Sequence, residues 1–506
     1  MSRPTTAGKG ITTSDGGRPF HVAVVGAGLS GIAAAVKLRR AGITDLVVLE
    51  KADRVGGTWR DNTYPGCAVD IPAPVYSFSF HPNPGWSRNF VGQAELLAYI
   101  EDTVDRFGLA EHIRLATELL EATWSDARQR WTLRTSRGVL SARHVVFASG
   151  LLTEPRIPDL PGLAGFPGEV LHSARWDHGV DLTGRRVAVV GTGCSAVQIV
   201  PEVQPHVRRL HVFQRTPAWV LPRLDFAFPA AVRAVFRRYP ATQRLARLAG
   251  DVVLRLLGAL MRRARVARVL NAVGRSVLRR QVPDPALRAA LTPEFTVGCK
   301  RILLSNTYLP ALTKSNVDLV PSALAAVEGS VLVAADGTRA EVDVLVFASG
   351  FELRHPAIAR RVRCRDGRLL ADAWSAAPPR AYRATTVPGL PNAYLLLGPN
   401  GVTHHSLLAL AERQLDYVVD AIRTAESRAV GALEVRRDRF DAFDRELRRR
   451  LRDSVYDSGG CRSFYHDEHG RNFVVWPWSQ RRLRRALARF DIENYETTPL
   501  AGDGTG

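Results

Sequence analysis

Near its start the chain reads His21-Val22-Ala23-Val24-Val25-Gly26-Ala27-Gly28-Leu29-Ser30-Gly31, a short apolar run followed by the pattern G-x-G-x-x-G. The run predicts a β-strand, and the glycines permit a tight turn into a helix whose N-terminal amides can receive a pyrophosphate. A helix predicted over Ile32–Arg40, a strand over Leu46–Leu49 and the acid that follows it complete a βαβ unit for a dinucleotide. The predicted contacts are Gly26, Gly28, Gly31 and, on the ribose, Glu50.

A second glycine turn, Gly191-Thr192-Gly193-Cys194-Ser195-Ala196, follows the apolar run Arg186–Val190. A helix is predicted over Val197–Val203 and a strand over Arg209–Phe213. No acid follows that strand, and a guanidinium there suits the 2′-phosphate of NADPH better than the free ribose of NADH. The fold is therefore predicted to be α/β, with two Rossmann-like, three-layer domains. The predicted contacts of the second unit are Gly191, Thr192, Gly193, Ser195, Arg215 and Thr216.

Composition narrows the remaining classes of function. With 506 residues, 46% of them hydrophobic and 23% charged, the chain can form two or three globular domains. No apolar run is long enough to span a membrane, and residues 1–19 and 501–506 are predicted to be flexible, without the apolar segment of a signal peptide. We therefore expect a cytoplasmic protein. Five scattered cysteines without a C-x-x-C pair exclude a zinc ribbon and argue against a secreted disulfide scaffold.

The net charge of +20 arises largely from arginines between residues 233 and 280, where Asp251 is the only carboxylate. We favour composition bias together with attraction for anionic NADPH as the origin of this charge, and an acidic surface or partner stays open as the alternative. Residues 226–290 are predicted to form amphipathic helices broken by Pro240, Gly250 and Pro283. An apolar face packed on the protein, with the arginines in solvent, is favoured over a helix lying on a membrane surface.

The stretch between the two units carries a third motif. Residues 166–177 read Phe-Pro-Gly-Glu-Val-Leu-His-Ser-Ala-Arg-Trp-Asp, the pattern F-x-G-x-x-x-H-x-x-x-W-D. Together with the glycine turns this resembles the flavoprotein monooxygenases of the Baeyer-Villiger type, over roughly residues 20–490. The resemblance implies an enzyme that uses FAD and NADPH to insert one oxygen atom from O2 into a lipophilic ketone. The product would be an ester or lactone, formed through a flavin C4a-peroxide.

The resemblance also implies a domain plan. The near copies Val145–Gly150 and Val344–Gly350 bracket the second unit, so the NADPH domain is expected to be inserted into a discontinuous FAD domain. We expect an FAD domain over 20–150 and 385–500, an NADPH domain over 151–224 and 325–384, and a helical insertion over 225–324, after a leader at 1–19.

Several residues receive roles from the resemblance. Arg301 would be the catalytic cation that stabilises the deprotonated peroxide, and Asp70 would hold it in place beside the flavin. Position 68 departs from the family, because Ala68 stands where arginine is common. His172 and Trp176 are interpreted as a link between the nucleotide domains, and the pair His404-His405 lacks further metal ligands, so no metal is predicted. The remaining cofactor contacts implied are Gly57, Thr58, Trp59, Tyr76, Lys300 and Asn400.

Two other functions stay open at this point. An N- or S-oxygenating flavin monooxygenase is the closer one, although its corresponding stretch ends in tyrosine, whereas Trp176-Asp177 stand here. The second is a flavin-binding protein without oxygenase activity, such as a redox sensor or an adaptor at a membrane surface.

Overall fold

The computed structural model of the chain describes residues 18–260, 264–403 and 405–501. Most of the predicted leader, nearly all of the predicted tail and His404 therefore lie outside the described residues. The strands are β1 Phe20–Val25, β2 Leu46–Leu49, β3 Ile113–Arg114, β4 Leu119–Ser125, β5 Arg130–Thr135, β6 Gly138–Phe147, β7 Glu169–His172, β8 Arg186–Val190, β9 Arg209–Phe213, β10 Val220–Leu221, β11 Leu303–Leu304, β12 Val317–Val320, β13 Leu324–Glu328, β14 Val331–Ala334, β15 Arg339–Glu341, β16 Val344–Phe347, β17 Ala393–Leu395, β18 Val430–Val435 and β19 Tyr495–Pro499. The helices are α1 Leu29–Arg40, α2 Thr58–Asp61, α3 Gln93–Arg106, α4 Cys194–Val203, α5 Ala230–Arg238, α6 Pro240–Leu260, α7 Ala264–Gln281, α8 Pro285–Ala290, α9 Tyr308–Leu312, α10 Leu370–Ala376, α11 Leu407–Ser427, α12 Arg437–Arg452, α13 Val455–Ser458 and α14 Gln480–Ala486.

The first sheet has seven strands in the order β3-β2-β1-β6-β5-β4, with β17 also pairing with β6. Strands β1, β2, β3, β6 and β17 are parallel, and β4 and β5 continue the sheet as an antiparallel extension. Successive residues of a strand point to opposite faces, and both faces of β1 are covered. Val22 and Val24 pack with α1 and α11, whereas Ala23 and Val25 join a second core. This is the predicted three-layer arrangement.

The second sheet is fully parallel, in the order β12-β9-β8-β16-β7. One face packs on α4 and α9, and the other is covered by the antiparallel strands β13 to β15. A parallel sheet must be covered on both faces, which explains why its strands read as continuous apolar runs. The two Rossmann-like domains predicted from the glycine turns are thus confirmed.

The domain boundaries differ from those expected in two places. Strand β12, which falls inside the predicted insertion 225–324, pairs with β9 at the edge of the second sheet. Residues 357–384, expected in the second domain, pack instead on the first sheet, where Val362 and Trp374 share a core with Phe147. Neither segment contains a G-x-G turn of the kind that marks the two units. Long-range pairing, which the local pattern does not contain, decides which sheet each segment joins.

The predicted helical region is present as α5 to α8, but two of its details were wrong. Gly250 does not break a helix: it lies inside α6, where an added Cβ would approach Val75 Cγ2 to 2.8 Å, so glycine permits close packing. The apolar face of α6 does not pack on the protein either, since Leu248 and Leu256 are more than half exposed. Within the described ranges, no helix is long and apolar enough to cross a membrane.

Candidate functional site

Each glycine turn lies at the carboxyl end of a central strand, β1 or β8, and touches the end of the strand beside it in the sheet, β6 or β16. Gly26 has φ +107° and Gly191 has φ +122°, backbone conformations that favour glycine. An added Cβ would lie 2.7 Å from the Ala148 carbonyl oxygen in the first case and 2.5 Å from that of Ala348 in the second. The near-identical runs recognised in the sequence are therefore the strands against which the two turns pack.

Each turn leads into a helix with uncapped N-terminal amides. Helix α1 follows Gly28 and α4 follows Gly193, and neither start has a side-chain cap. The first N–H groups of a helix have no partner within it, and the helix dipole favours an anion there. Both turns therefore offer the donor set that a dinucleotide pyrophosphate needs.

Glu50 lies beside the first turn and is 4% exposed. Its carboxylate accepts hydrogen bonds from the Ala27 amide at 2.8 Å, from the Ala52 amide at 3.0 Å and from Arg60 Nη1 at 3.0 Å. These bonds bring the acid to the position expected for a ribose contact and leave part of its accepting capacity free.

The loop after β2 runs back over the first turn. An added Cβ on Gly57 would approach Gly28 Cα to 3.0 Å, so the two glycines form a narrow cradle. Thr58 begins the short helix α2, and Trp59 Nε1 donates to the Tyr76 hydroxyl at 3.3 Å. Burial raises the pKa of Tyr76 to about 12, so this hydroxyl stays neutral near pH 7. The sequence-predicted residues of this loop thus lie together and form one wall of the candidate site.

Asp70 and Arg301 meet on that wall although 231 positions separate them. Arg301 Nε and Nη2 both donate to Asp70 Oδ2, at 2.8 and 2.5 Å. The negative charge of Asp70 raises the pKa of Arg301 further above its usual value, so the guanidinium is always charged. Both side chains remain about one-third exposed, at 27% and 34%, so a ligand can reach them.

The other neighbours of Arg301 are neutral. Burial raises the pKa of the Cys194 thiol to about 11 and that of Tyr465 to about 12, while the charge of Arg301 acts on both in the opposite direction. Neither group carries a charge near pH 7, so Asp70 is the anion that balances Arg301. Tyr465 lies in the C-terminal segment, and its place beside Arg301 was not predicted from the sequence.

A second cationic cluster lies at the end of β9. Lys300 Nζ donates to Thr216 Oγ1 at 2.8 Å, and Thr192 Oγ1 donates to the Thr216 carbonyl at 3.0 Å. Burial and the nearby Arg215 lower the pKa of Lys300. Two like charges held together at the end of a nucleotide-binding strand favour an anion between them, and a 2′-phosphate has that charge. The predicted residues Thr192, Arg215, Thr216 and Lys300 are therefore brought into one cluster, next to Gly193 and Ser195.

The first sheet unit and the second meet through α4. Gln198 accepts a hydrogen bond from the Tyr64 hydroxyl at 2.9 Å and donates to the Ala68 carbonyl at 3.0 Å. His178, directly after the third motif, contacts Thr63 at 2.9 Å. Within that motif, burial lowers the pKa of His172, which stands at the end of β7, and its ring lies 6.2 Å from that of Phe351. The role of Gln198 was missed, because nothing in its local sequence distinguishes it.

Asn400 is 4% exposed and has φ +58°. Its side-chain nitrogen Nδ2 lies 3.4 Å from the Asn472 carbonyl oxygen and 3.3 Å from that of Val475. The residue thus joins its turn to the C-terminal segment, and a direct flavin contact stays a prediction.

The structure also contains a disulfide between Cys299 and Cys461. It ties the segment that carries Lys300 and Arg301 to the C-terminal segment that carries Tyr465. The sequence did not predict this pairing, because 162 positions separate the two cysteines.

A cavity of about 240 Å³ lies between α6 and the C-terminal segment. Leu254, Tyr456, Trp476 and Trp478 line it together with Arg255 and Arg484. Its wall includes His405, whose Nε2 lies 2.5 Å from Asp251 Oδ1. This pair joins α6 to the turn after Asn400. Among the described residues, His, Cys, Asp and Glu form no cluster of three that could hold a metal.

Comparisons with known proteins agree with this geometry. Residues 20–371 match the family model described as flavin-binding monooxygenase-like. A Baeyer-Villiger monooxygenase of Streptomyces coelicolor is 48% identical over 481 residues, which are 94% of this chain and 92% of the relative. A Baeyer-Villiger monooxygenase of Pseudomonas aeruginosa is 42% identical over 96% of this chain and 93% of the relative.

Solved structures agree with the sequence relatives. An oxidised steroid monooxygenase bound to NADP superposes with a TM-score of 0.83 at 29% identity, covering 95% of this chain and 99% of the other. Cyclohexanone monooxygenase from Rhodococcus sp. Phi1 bound to NADP+ gives 0.82 at 27% identity, covering 95% and 100%.

Proposed function

The chain belongs to the flavin-binding monooxygenase-like family and is an FAD- and NADPH-dependent monooxygenase of the Baeyer-Villiger type, and on that premise we propose that it inserts one oxygen atom from O2 into a lipophilic ketone with Arg301 as the catalytic cation. The observation that carries the proposal is the accessible ion pair between Arg301 and Asp70, which lies beside Cys194 at the start of α4.

Bound FAD, once reduced by NADPH, supplies the oxygen chemistry, and the protein supplies charge, orientation and exclusion of water. The guanidinium of Arg301 stabilises negative charge on the oxygen being transferred and then on the ketone oxygen as the carbonyl is attacked. A permanent cation suits this task because it cannot give up a proton to the developing anion. The neighbouring Cys194 and Tyr465 are neutral and add no second negative charge to compensate the guanidinium.

Asp70 is assigned a positioning role. Both hydrogen bonds from Arg301 end on one carboxylate oxygen, which fixes the plane of the guanidinium and leaves Nη1 without a bond to Asp70. That nitrogen is the donor we assign to the reacting oxygen atoms.

The cofactors are assigned to the two turns. Gly26, Gly28, Gly31 and Glu50 of the first turn would hold FAD, and Trp59 and Tyr76 would lie on the side of its flavin. The second turn would hold NADPH, and Arg215 and Lys300 would bind its 2′-phosphate. The first sheet with residues 357–395 then forms the FAD domain, and the second sheet, including β12, forms the NADPH domain.

The cavity beneath α6 is assigned to the ketone. Its aromatic and aliphatic lining suits a lipophilic substrate. Tyr456 on its wall lies 6.2 Å, ring to ring, from Tyr465, which borders Arg301. The cytoplasmic location stays a prediction from the sequence.

Replacement of Arg301 tests the proposal. Arg301→Ala should lower the rate of ester or lactone formation about 100- to 1000-fold, the usual effect of removing one charge-stabilising donor. NADPH-dependent oxygen uptake should persist with release of hydrogen peroxide, and sulfoxidation should survive better than lactone formation. Product analysis and peroxide assays on the same reaction mixtures measure all three.

Arg301→Lys serves as the matched control, because it keeps the charge but not the planar pair of donors, and it should retain intermediate activity. Ester formation by Arg301→Ala at the parent rate would remove the catalytic assignment.

A further inference from the structure

Helix α6 is amphipathic in the inverted sense: its polar face points into the protein and its apolar face points outward. Gln243, Arg247 and Asp251, one turn apart from each other, face inward. Gln243 Nε2 donates to the Asn83 carbonyl, Arg247 Nη1 donates to the Ser77 carbonyl at 2.8 Å, and Asp251 pairs with His405. The helix is therefore held by hydrogen bonds from its polar face, while most of its large apolar residues point away from the protein.

The opposite face of α6 is a continuous aliphatic stripe. Its members recur at helical spacing along about 22 Å of helix. They are 66%, 53%, 43%, 53%, 60% and 38% exposed in chain order: Leu245, Leu248, Val252, Val253, Leu256 and Leu260. We call these six residues the α6 stripe.

The helices before and after α6 in the chain also expose apolar side chains. Twelve of the twenty large apolar side chains that are exposed among the described residues lie between positions 224 and 273. Among them are Val235 on α5 and Val269 and Val273 on α7. Exposed apolar surface concentrated in this way marks an interaction site, since scattered single residues would be unremarkable.

The charge around the stripe has one sign. Residues 230–283 contain thirteen arginines, no lysine and one carboxylate. That carboxylate is Asp251, which faces inward to His405 and Arg255. Exposed arginines flank the stripe on all three helices, among them Arg238, Arg244 and Arg275. A second copy of this chain would bring the same positive charge and be repelled, so the partner must be anionic as well as apolar.

We propose that α5, α6 and α7 dock this protein on the surface of a membrane that contains anionic lipids. The stripe would enter the acyl boundary while the arginines contact lipid phosphates, as in helices that lie in the plane of an interface. Helix α6 carries four charged residues between Arg244 and Arg255, so it would lie on the bilayer and not cross it. Its inward residues Leu254 and Gly258 line the cavity, which places that cavity next to the lipid.

Flotation with lipid vesicles tests the proposal on the full-length, FAD-loaded protein. The parent should float with vesicles of phosphatidylcholine containing about one-third phosphatidylglycerol, and far less with pure phosphatidylcholine. Leu248→Ser/Leu256→Ser should lower the partition coefficient at least tenfold. The matched control Leu120→Ser/Val139→Ser replaces exposed apolar residues of β4 and β6 and should float like the parent.

A second pair of variants tests the charge. Arg237→Gln/Arg238→Gln on α5, which packs against α6, should weaken flotation several-fold, whereas Arg449→Gln/Arg450→Gln on α12 should not. Bound flavin absorbance and NADPH oxidation show that each variant is folded.

Three results would overturn the proposal. One is a flotation result: either the parent protein does not float, or the stripe variant floats like the parent. Another is a parent dimer that the stripe substitutions convert to a monomer in sedimentation, which would assign the face to self-association. The third is a parent protein that does not float but binds poly-glutamate beads, with this binding lost in Leu248→Ser/Leu256→Ser. That result would assign the face to an acidic protein partner.

Discussion

At the residue scale, the two glycine turns offer a matched pair of tests. An added Cβ on Gly28 would come no closer than an ordinary 3.5 Å, to Gly57 Cα, and one on Gly193 would meet nothing within 4 Å. Alanine at either position is therefore compatible with the protein itself, so any effect reports on the nucleotide. Gly31 differs, since its Cβ would lie 1.8 Å from the Gly26 carbonyl oxygen.

We expect Gly28→Ala to purify with less than about one-tenth of the parent FAD, because the methyl group blocks the approach of the pyrophosphate. Gly193→Ala should keep its flavin colour but raise the KM for NADPH about tenfold or more. Absorbance after gel filtration and steady-state kinetics measure the two effects. Stoichiometric FAD in Gly28→Ala would contradict the assignment of the first turn.

Arg215 decides the choice of coenzyme in our proposal. Arg215→Ala should weaken NADPH binding about 5- to 150-fold, equivalent to about 1–3 kcal/mol of charge-assisted bonding, and leave NADH nearly unchanged. Fluorescence titration with both coenzymes checks this, with Arg208→Ala, an exposed arginine in the turn before β9, as control. Equal losses for the two coenzymes would make Arg215 a structural residue only.

At the element scale, β6 contains a histidine that makes the fold sensitive to acid. His144 lies between the rings of His21 and Tyr394 and is 4% exposed. Burial lowers its pKa to about 3, with smaller contributions from His21 and Arg143. Because the unfolded chain takes up this proton near the ordinary pKa of 6.5, the stabilisation is complete above that pH and is lost as the pH falls toward 3.

We therefore expect His144→Phe to reduce the acid dependence of the unfolding free energy. Between pH 6 and pH 4 the slope should be smaller than that of the parent by about 1.4 kcal/mol per pH unit. Urea unfolding at several pH values measures it, and the exposed His206 provides the control as His206→Phe. Parallel slopes for His144→Phe and the parent would show that His144 is not the acid-sensitive group.

At the scale of the whole molecule, we expect the contact between α4 and the loop before Asp70 to control how NADPH approaches the flavin. Gln198→Leu removes both bonds to the loop that carries Asp70 and leaves the Ala68 carbonyl without that donor. A lost buried bond costs about 1–3 kcal/mol. Anaerobic reduction by NADPH should therefore slow about tenfold, while FAD content and reduction by dithionite stay unchanged.

Gln204→Leu, at the end of the same helix, is the control. Gln204 bonds to Asn316 within the second sheet unit, so its loss should not change the approach of the two units. Stopped-flow absorbance compares the variants. Equal effects of the two substitutions would show that Gln198 acts through the stability of α4 alone.

The sequence by itself determined the two βαβ units, because strand, glycine turn, helix and the following Glu50 or Arg215 are contiguous and depend on local backbone and charge. Tertiary structure alone decided the features that join distant segments: β12 at the edge of the second sheet, the Cys299–Cys461 bond and Gln198 between the sheets. It also decided the orientation of α6. Helical periodicity shows that a helix has two faces but not which one is covered. Here Asn83, Ser77 and His405 bond to the polar face and hold it inward, which leaves the α6 stripe outside.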